Sequence, residues 1–152
     1  MTEAERLAQA VERLVAVVIR QRRAVPGPEP QQLTNVQGLA LLAVADAGRL
    51  RLGTLADLLG TTDATASRTV DVLERLGFVR RSRDPEDGRG VYVAVTPAGR
   101  QEARRRRRRA AAMMGELLKG MPRAEQHRFV DLLDDLNELL IAADRNLPAA
   151  RA

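Results

Sequence analysis

Apolar residues recur every three or four positions over residues 2–23, where Leu7, Ala10, Val11, Leu14, Val17 and Val18 form one stripe. That period predicts an amphipathic helix of about six turns, with Thr2 placed to cap it. Residues 24–33 (AVPGPEPQQL) interrupt the pattern with three prolines and a glycine, so the helix must stop there. A second helix is predicted from its cap, Thr34, to Gly48, with Val36, Leu39, Ala40, Leu42, Ala43 and Val44 making a nearly all-apolar core element. Arg49-Leu50-Arg51-Leu52 reads as a short extended link.

Leu55, Leu58 and Leu59 give a third, short helix its buried side, and Gly60 ends it. Thr62 is a good N-cap for the next helix, where Asp63 in the first turn is favoured by the helix dipole. At about 100° per residue, Ala66, Val70, Leu73 and Gly77 share one face; Arg68, Asp71 and Arg75 fall opposite, flanked by Thr65 and Val72. The apolar side is expected to dock on the preceding helices while Thr65, Arg68 and Arg75 project outward. The bland reading of that outer face is a solvated one, with Asp71 and Arg75 forming an i,i+4 pair.

Two β-type segments follow, 78–82 (FVRRS) and 90–95 (GVYVAV), on either side of a Pro-Glu-Asp-Gly-Arg tip. Val91, Val93 and Val95 alternate as in a half-buried strand, although a ribbon this short forms little core of its own. Thr96 caps another helix with Pro97 at its first position, where a missing N–H costs nothing. That helix should run to about residue 120. A last helix over 123–145 carries Phe129, Leu132, Leu133, Leu136, Leu139, Leu140 and Ala143 as its stripe, and the tail 146–152 is expected to fray.

Composition narrows the fold. The chain has 152 residues and is 45% hydrophobic, yet only Phe78, Tyr92 and Phe129 are aromatic. A core packed by Leu, Val and Ala suits helices better than a sandwich or barrel. The expected fold class is mainly α (α+β), one domain over 1–145. A helix-turn-helix lobe with a two-stranded ribbon occupies 34–96, and long helices flank it over 2–23 and 97–145. Long striped helices need a partner surface, and the stripe alone leaves the monomer and a second subunit equally open.

Chemistry is mostly excluded. There is no cysteine, which rules out disulfides, thiolate metal sites and thiol redox sensing. No apolar run approaches the ~20 residues of a membrane span. The first helix carries Glu3, Glu5, Arg6 and Glu12, unlike a secretory signal. A soluble, cytoplasmic protein without a cofactor is expected. Catalysis is not: the single histidine, His127, sits beside Gln126 and Arg128 as a solvated residue. Ser67 and Ser82 are the only serines, and no nucleophile–base pair, paired acids or metal spacing is found.

Charge points elsewhere. The formal net charge is +5, with eight positive against two negative residues over 101–123 and two against six over 124–145. Arg80, Arg81, Arg83 and Arg89 crowd the ribbon and its tip. Beside a helix presenting Thr65 and Arg68, they make two adjacent contact surfaces for double-stranded DNA. One suits the major groove and the other phosphates or a minor groove. Arg104 to Arg109 run unbroken for more than a helical turn, so they cannot all face one partner. Phosphate binding is one reading of that run. The favoured one is that the acidic side of the last helix (Glu125, Asp131, Asp134, Asp135, Glu138, Asp144) lies against it.

From Leu33 to about Arg145 the chain resembles the MarR family of winged helix-turn-helix transcription factors. The matching pieces are Leu33-Thr34-x-x-Gln37, Leu55-Ala56-x-Leu58-Leu59-Gly60 and Thr65-x-Ser67-Arg68-x-Val70-Asp71-x-Leu73-Glu74-x-x-Gly77. They continue as Val79-x-Arg81, Asp84-Pro85-x-Asp87-x-Arg89 and Val95-Thr96-x-x-Gly99. The resemblance implies a homodimer interlocked through the first and last two helices. It would bind pseudo-palindromic operators with half-sites about one helical turn apart, as a repressor released by a small aromatic or phenolic ligand. Carried over by position, Arg68 would read bases, helped by Thr62, Thr65 and Ser67. Arg75 and Arg83 are further contacts, Arg89 would enter a minor groove, and Asp87 would orient the wing tip. Gly88 departs from the family, standing where many members carry a basic residue, and the six-arginine run is no family feature. The rival readings are a winged helix used for protein contact, or a DNA binder of another winged-helix family.

Overall fold

The computed structural model describes residues 1–24, 33–83, 88 and 90–146, which fall in two compact units, Met1–Val36 and Gln37–Ala152. The expected proline-rich break over 25–32 and the tail from 147 lie outside the described residues.

The first unit is built on α1 (Glu3–Ala24). Thr2 and Glu5 close a reciprocal capping box. The Glu5 N–H donates to Thr2 Oγ1 at 3.2 Å, and the Thr2 nitrogen donates to Glu5 Oε2 at 2.5 Å. The predicted apolar stripe lies on the helix with Leu7 52% exposed and Leu14 57%.

The second unit holds the core. Its elements are α2 (Asn35–Ala47, whose first two residues belong to the first unit), β1 (Arg49–Arg51), α3 (Leu52–Leu58), α4 (Asp63–Arg75), β2 (Val79–Arg83), β3 (Val91–Val95), α5 (Pro97–Leu118) and α6 (Arg123–Asn146). The strands form one antiparallel sheet in the order β1-β3-β2. The presumed link at Arg49–Arg51 is thus a third strand, pairing Arg49 with Ala94 and Arg51 with Tyr92. Three residues carry too little pattern to announce a strand whose partner lies more than forty positions away.

Leu41, Val44, Leu55, Val70, Leu73 and Val93 are fully buried and join α2, α3, α4 and the sheet. Two core expectations need correction. On α2 the expected Ala40 and Val44 are buried together with Leu41, which was not expected, while Leu39 and Val36 are 56% and 47% exposed. A helix apolar on every side has no polar face to say which side is in. On α3, Leu55 and Ala56 face inward, whereas Leu58 is 63% exposed.

Local chemistry sets the joints. Gly60 and Gly77 take positive φ (60° and 75°) just past α3 and α4. Beyond α4 the Gly77 N–H bonds to Glu74 O at 2.9 Å and the Phe78 N–H to Leu73 O at 2.9 Å, a complete Schellman closure. Thr96 caps α5 by accepting from the Gly99 N–H at 3.0 Å, and its hydroxyl donates to Gly77 O at 2.6 Å, with Phe78 O at 3.1 Å. Gly99 lies directly on the Phe78 carbonyl. The first turns of α5 therefore belong to the core, with Ala103 2% exposed.

Beyond that point the long helices are bare. On α6, among residues 123–143, only Gln126 and Leu136 are even half-buried. Opposite charges led to the expectation that the run lies against the acids of α6, but Arg105 and Arg107 turn elsewhere. Among the described residues Arg105 pairs with Glu102 at 2.6 Å, and Arg107 pairs with Asp46 of α2. The guanidinium of Arg106 occupies the space a side chain at Gly38 would take. Of these arginines, Arg107 ties α5 to α2, while Arg105 pairs within its own helix. Among the described residues no helix is long and apolar enough to cross a membrane.

Candidate nucleic-acid interface

α4 is fixed at both ends before it presents anything. Thr62 caps its start, with Oγ1 accepting from the Thr65 N–H at 3.3 Å, and the Schellman closure at Gly77 ends it. Ala66, Val70 and Leu73 are fully buried. Thr69, on the same inner side, satisfies its hydroxyl on Thr65 O at 3.1 Å. The opposite face is open: Thr65, Arg68, Asp71 and Arg75 are exposed, as the helical period predicts.

The predicted site residues divide by what they already do within the protein. Arg68 is exposed and makes no hydrogen bond or ion pair with any described residue, so its fork of donors is free. Thr65 accepts from the Thr62 hydroxyl at 3.1 Å and keeps its own hydroxyl hydrogen. Arg75 touches only the Asp71 carbonyl, Nε to O at 3.4 Å, a weak contact. The anticipated Asp71–Arg75 ion pair does not form. Asp71 pairs with Arg81 at 2.6 Å, because Arg81 reaches across from the sheet with better geometry.

Arg83 ends β2 opposite Val91, exposed and without a partner among the described residues. Ser67 is half-buried, its Oγ accepting from Arg81 at 3.0 Å. Asp87 and Arg89 lie outside the described residues. Among the expected site residues, the free cations sit along α4 and at the end of β2, on elements that pack against each other.

Sequence reasoning missed Arg81, which it grouped with the outward ribbon arginines. The strand period contained the signal. Arg81 is in phase with Val79, which is 2% exposed, and lies opposite the fully buried Val93. On the outer face of the sheet, Arg49 stacks over the Tyr92 ring at 3.7 Å, and Arg51 Nε donates to the Tyr92 hydroxyl at 3.0 Å. Those arginines are held by the protein itself.

A helix-turn-helix with an antiparallel wing and a cation-bearing second helix defines the winged-helix class of regulators. Residues 31–90 match the MarR family. An HTH-type transcriptional regulator of Mycobacterium leprae is 30% identical over 125 residues, 82% of this chain and 77% of its own length. The HTH-type regulator YwaE of Bacillus subtilis is 35% identical over 86 residues, 57% of this chain, so the match spans only half the length of that relative. Among solved structures, FabT of Streptococcus pneumoniae, determined in complex with DNA, superposes with a TM-score of 0.73 at 20% identity, over 93% of this chain and 99% of that one. BpsR of Bordetella bronchiseptica, whose DNA binding is regulated by 6-hydroxynicotinic acid, gives 0.62 at 25% identity, over 88% and 97%. The chain belongs to the MarR family of HTH-type transcriptional regulators, a family of regulators and not of enzymes.

Proposed function

We propose that the chain is a cytoplasmic, homodimeric repressor that reads pseudo-palindromic operators in double-stranded DNA, one α4 per half-site. The observation that carries the reading is the free Arg68 guanidinium beside the Thr65 hydroxyl, on a helix immobilised at both ends. A bidentate arginine on guanine is the commonest specific major-groove contact. Thr62, Thr65, Ser67 and Arg75 support Arg68 on α4. Arg83, with Asp87 and Arg89 at the tip, serves phosphates or a minor groove.

The dimer is argued from bare apolar surface. Phe129, Leu132, Leu139 and Leu140 on α6 and Leu7, Val11 and Leu14 on α1 are all 40% or more exposed in the single chain. Stripes of this length are covered by a partner in a stable protein. Residues 2–23 and 97–145 are the dimerisation part of the reading, and 34–96 the DNA-reading lobe. A small aromatic or phenolic effector belongs to it too, supported by the regulation of BpsR by 6-hydroxynicotinic acid.

The test is selection of duplexes from a randomised pool, followed by anisotropy titration at one stated salt concentration. A recovered inverted repeat bound far more tightly than a scrambled duplex is expected. Binding that is indifferent to sequence overturns the reading. If Arg68→Ala leaves affinity intact, a winged helix used for protein contact becomes the better account.

A further inference from the structure

Arg81 is an arginine pointing inward from a strand. The register of β2 on β3 puts Val79, Arg81 and Arg83 on the side of Val95, Val93 and Val91, the side that faces α4. A charge placed there must be matched, and Arg81 is matched four times. Nη1 meets Asp71 Oδ1 at 2.6 Å and Glu74 Oε2 at 2.9 Å, and Nη2 donates to Ser67 O at 2.8 Å and Ser67 Oγ at 3.0 Å. The other oxygen of Glu74 accepts the backbone N–H of Arg81 at 2.8 Å. Ser67, Asp71 and Glu74 are spaced i, i+4, i+7, so one planar fork grips two turns of α4 from the wing.

Two consequences follow for a ligand on α4. A short ribbon has little stability of its own, so this grip sets the distance between the cations of α4 and those of β2. Ser67 neighbours Arg68, and its hydroxyl oxygen is occupied as an acceptor by Arg81. Its single hydrogen is directed away from Arg81 and remains to be donated outward.

We propose that Arg81 is a positioning residue for DNA reading: it fixes the wing against the recognition helix and orients Ser67 as an outward donor to a DNA phosphate. The proposal rests on the DNA-binding reading above. Lysine, a point charge with no fork, could keep the ion pair but not all four contacts.

The probe is the labelled duplex recovered from a randomised pool by the unaltered protein. Arg81→Gln is expected to weaken binding about tenfold or more, and Ser67→Ala about tenfold, each variant remaining folded by circular dichroism. Ser67→Ala should add little once Arg81 is gone, since both act through one contact. Arg81→Lys should recover thermal stability more fully than affinity. The slope of log K against log salt should be that of the unaltered protein, because no phosphate-neutralising charge is lost. A slope lower by about 0.9 would instead mean that Arg81 touches phosphate directly, and would overturn the proposal.

Unchanged affinity in folded Arg81→Gln, or full additivity with Ser67→Ala, also overturns it. Should Arg81→Gln not fold, Glu74→Gln keeps the arginine but loosens its anchor, and the same weakening at constant slope is expected; unchanged affinity there defeats the proposal. A protein that recovers no preferred duplex fails at the earlier step, which separates loss of the DNA-binding reading from loss of the role given to Arg81.

Discussion

Gly99 and the carbonyl of Phe78 are packed so closely that no side chain fits between them: a Cβ at Gly99 would stand 1.9 Å from the oxygen and 3.0 Å from a methyl of Val95. The obstruction is backbone, held by the Thr96 N–H at 3.0 Å, and cannot swing aside. Gly99→Ala is therefore expected to cost about 2 kcal/mol or more of stability, measured by urea unfolding. Gly38 makes the control. A Cβ there would meet the guanidinium of Arg106 at 2.2 Å, the mobile end of a long side chain, so Gly38→Ala should cost less. Equal costs would contradict this account.

Gly77 is at φ 75°, with nothing within 4 Å of a Cβ built on it. The demand there is conformational and not spatial. Gly77→Ala should lower the thermal midpoint by an amount equivalent to about 1 kcal/mol, the cost of a left-handed alanine. Because Gly77 closes α4, operator affinity should fall with it; unchanged stability would mean the closure contributes nothing.

Arg68 and Arg83 should fail differently on DNA. Losing a base-reading arginine costs roughly 1–3 kcal/mol on the preferred duplex and little on a scrambled one. Losing a phosphate contact weakens both alike and lowers the salt slope by about one. Arg68→Ala is expected to follow the first pattern and Arg83→Ala the second. The comparison needs two duplexes and a salt series, and an exchange of patterns would reverse the roles given to helix and wing.

Leu139 and Leu140 are 68% and 59% exposed in the single chain. Replacing both with Asp should leave the helix-turn-helix lobe folded, since neither touches its core, and should yield monomers by sedimentation velocity. A monomeric unaltered protein at micromolar concentration would remove the reason for the experiment.

Much of this structure was legible because its signals are local. Thr2, Thr62 and Thr96 begin helices and Gly60 and Gly77 end them, each through bonds spanning a few residues, and Gly48 follows α2 at a positive φ. What was hidden depends on distant partners. β1 exists because Arg49–Arg51 finds β3, and Leu41 is chosen over Leu39 by which side of α2 meets the lobe. The arginine run drew attention to the acids of α6, yet Arg105 turns to a glutamate in its own helix and Arg107 to Asp46 on α2. That last pair is more than half exposed on both sides, so its contribution to stability is small despite the density of charge around it.

The hydroxyl of Thr96 joins the exit of α4, the entry of β2 and the first turn of α5 through one oxygen atom. α5 leaves that point as a rigid rod of 22 residues, about 33 Å long. Anchored so tightly at one end, it behaves as a lever whose fulcrum is the closing turn of α4. A tilt of α5 about that joint would therefore bear first on the turn that closes the helix carrying Arg68.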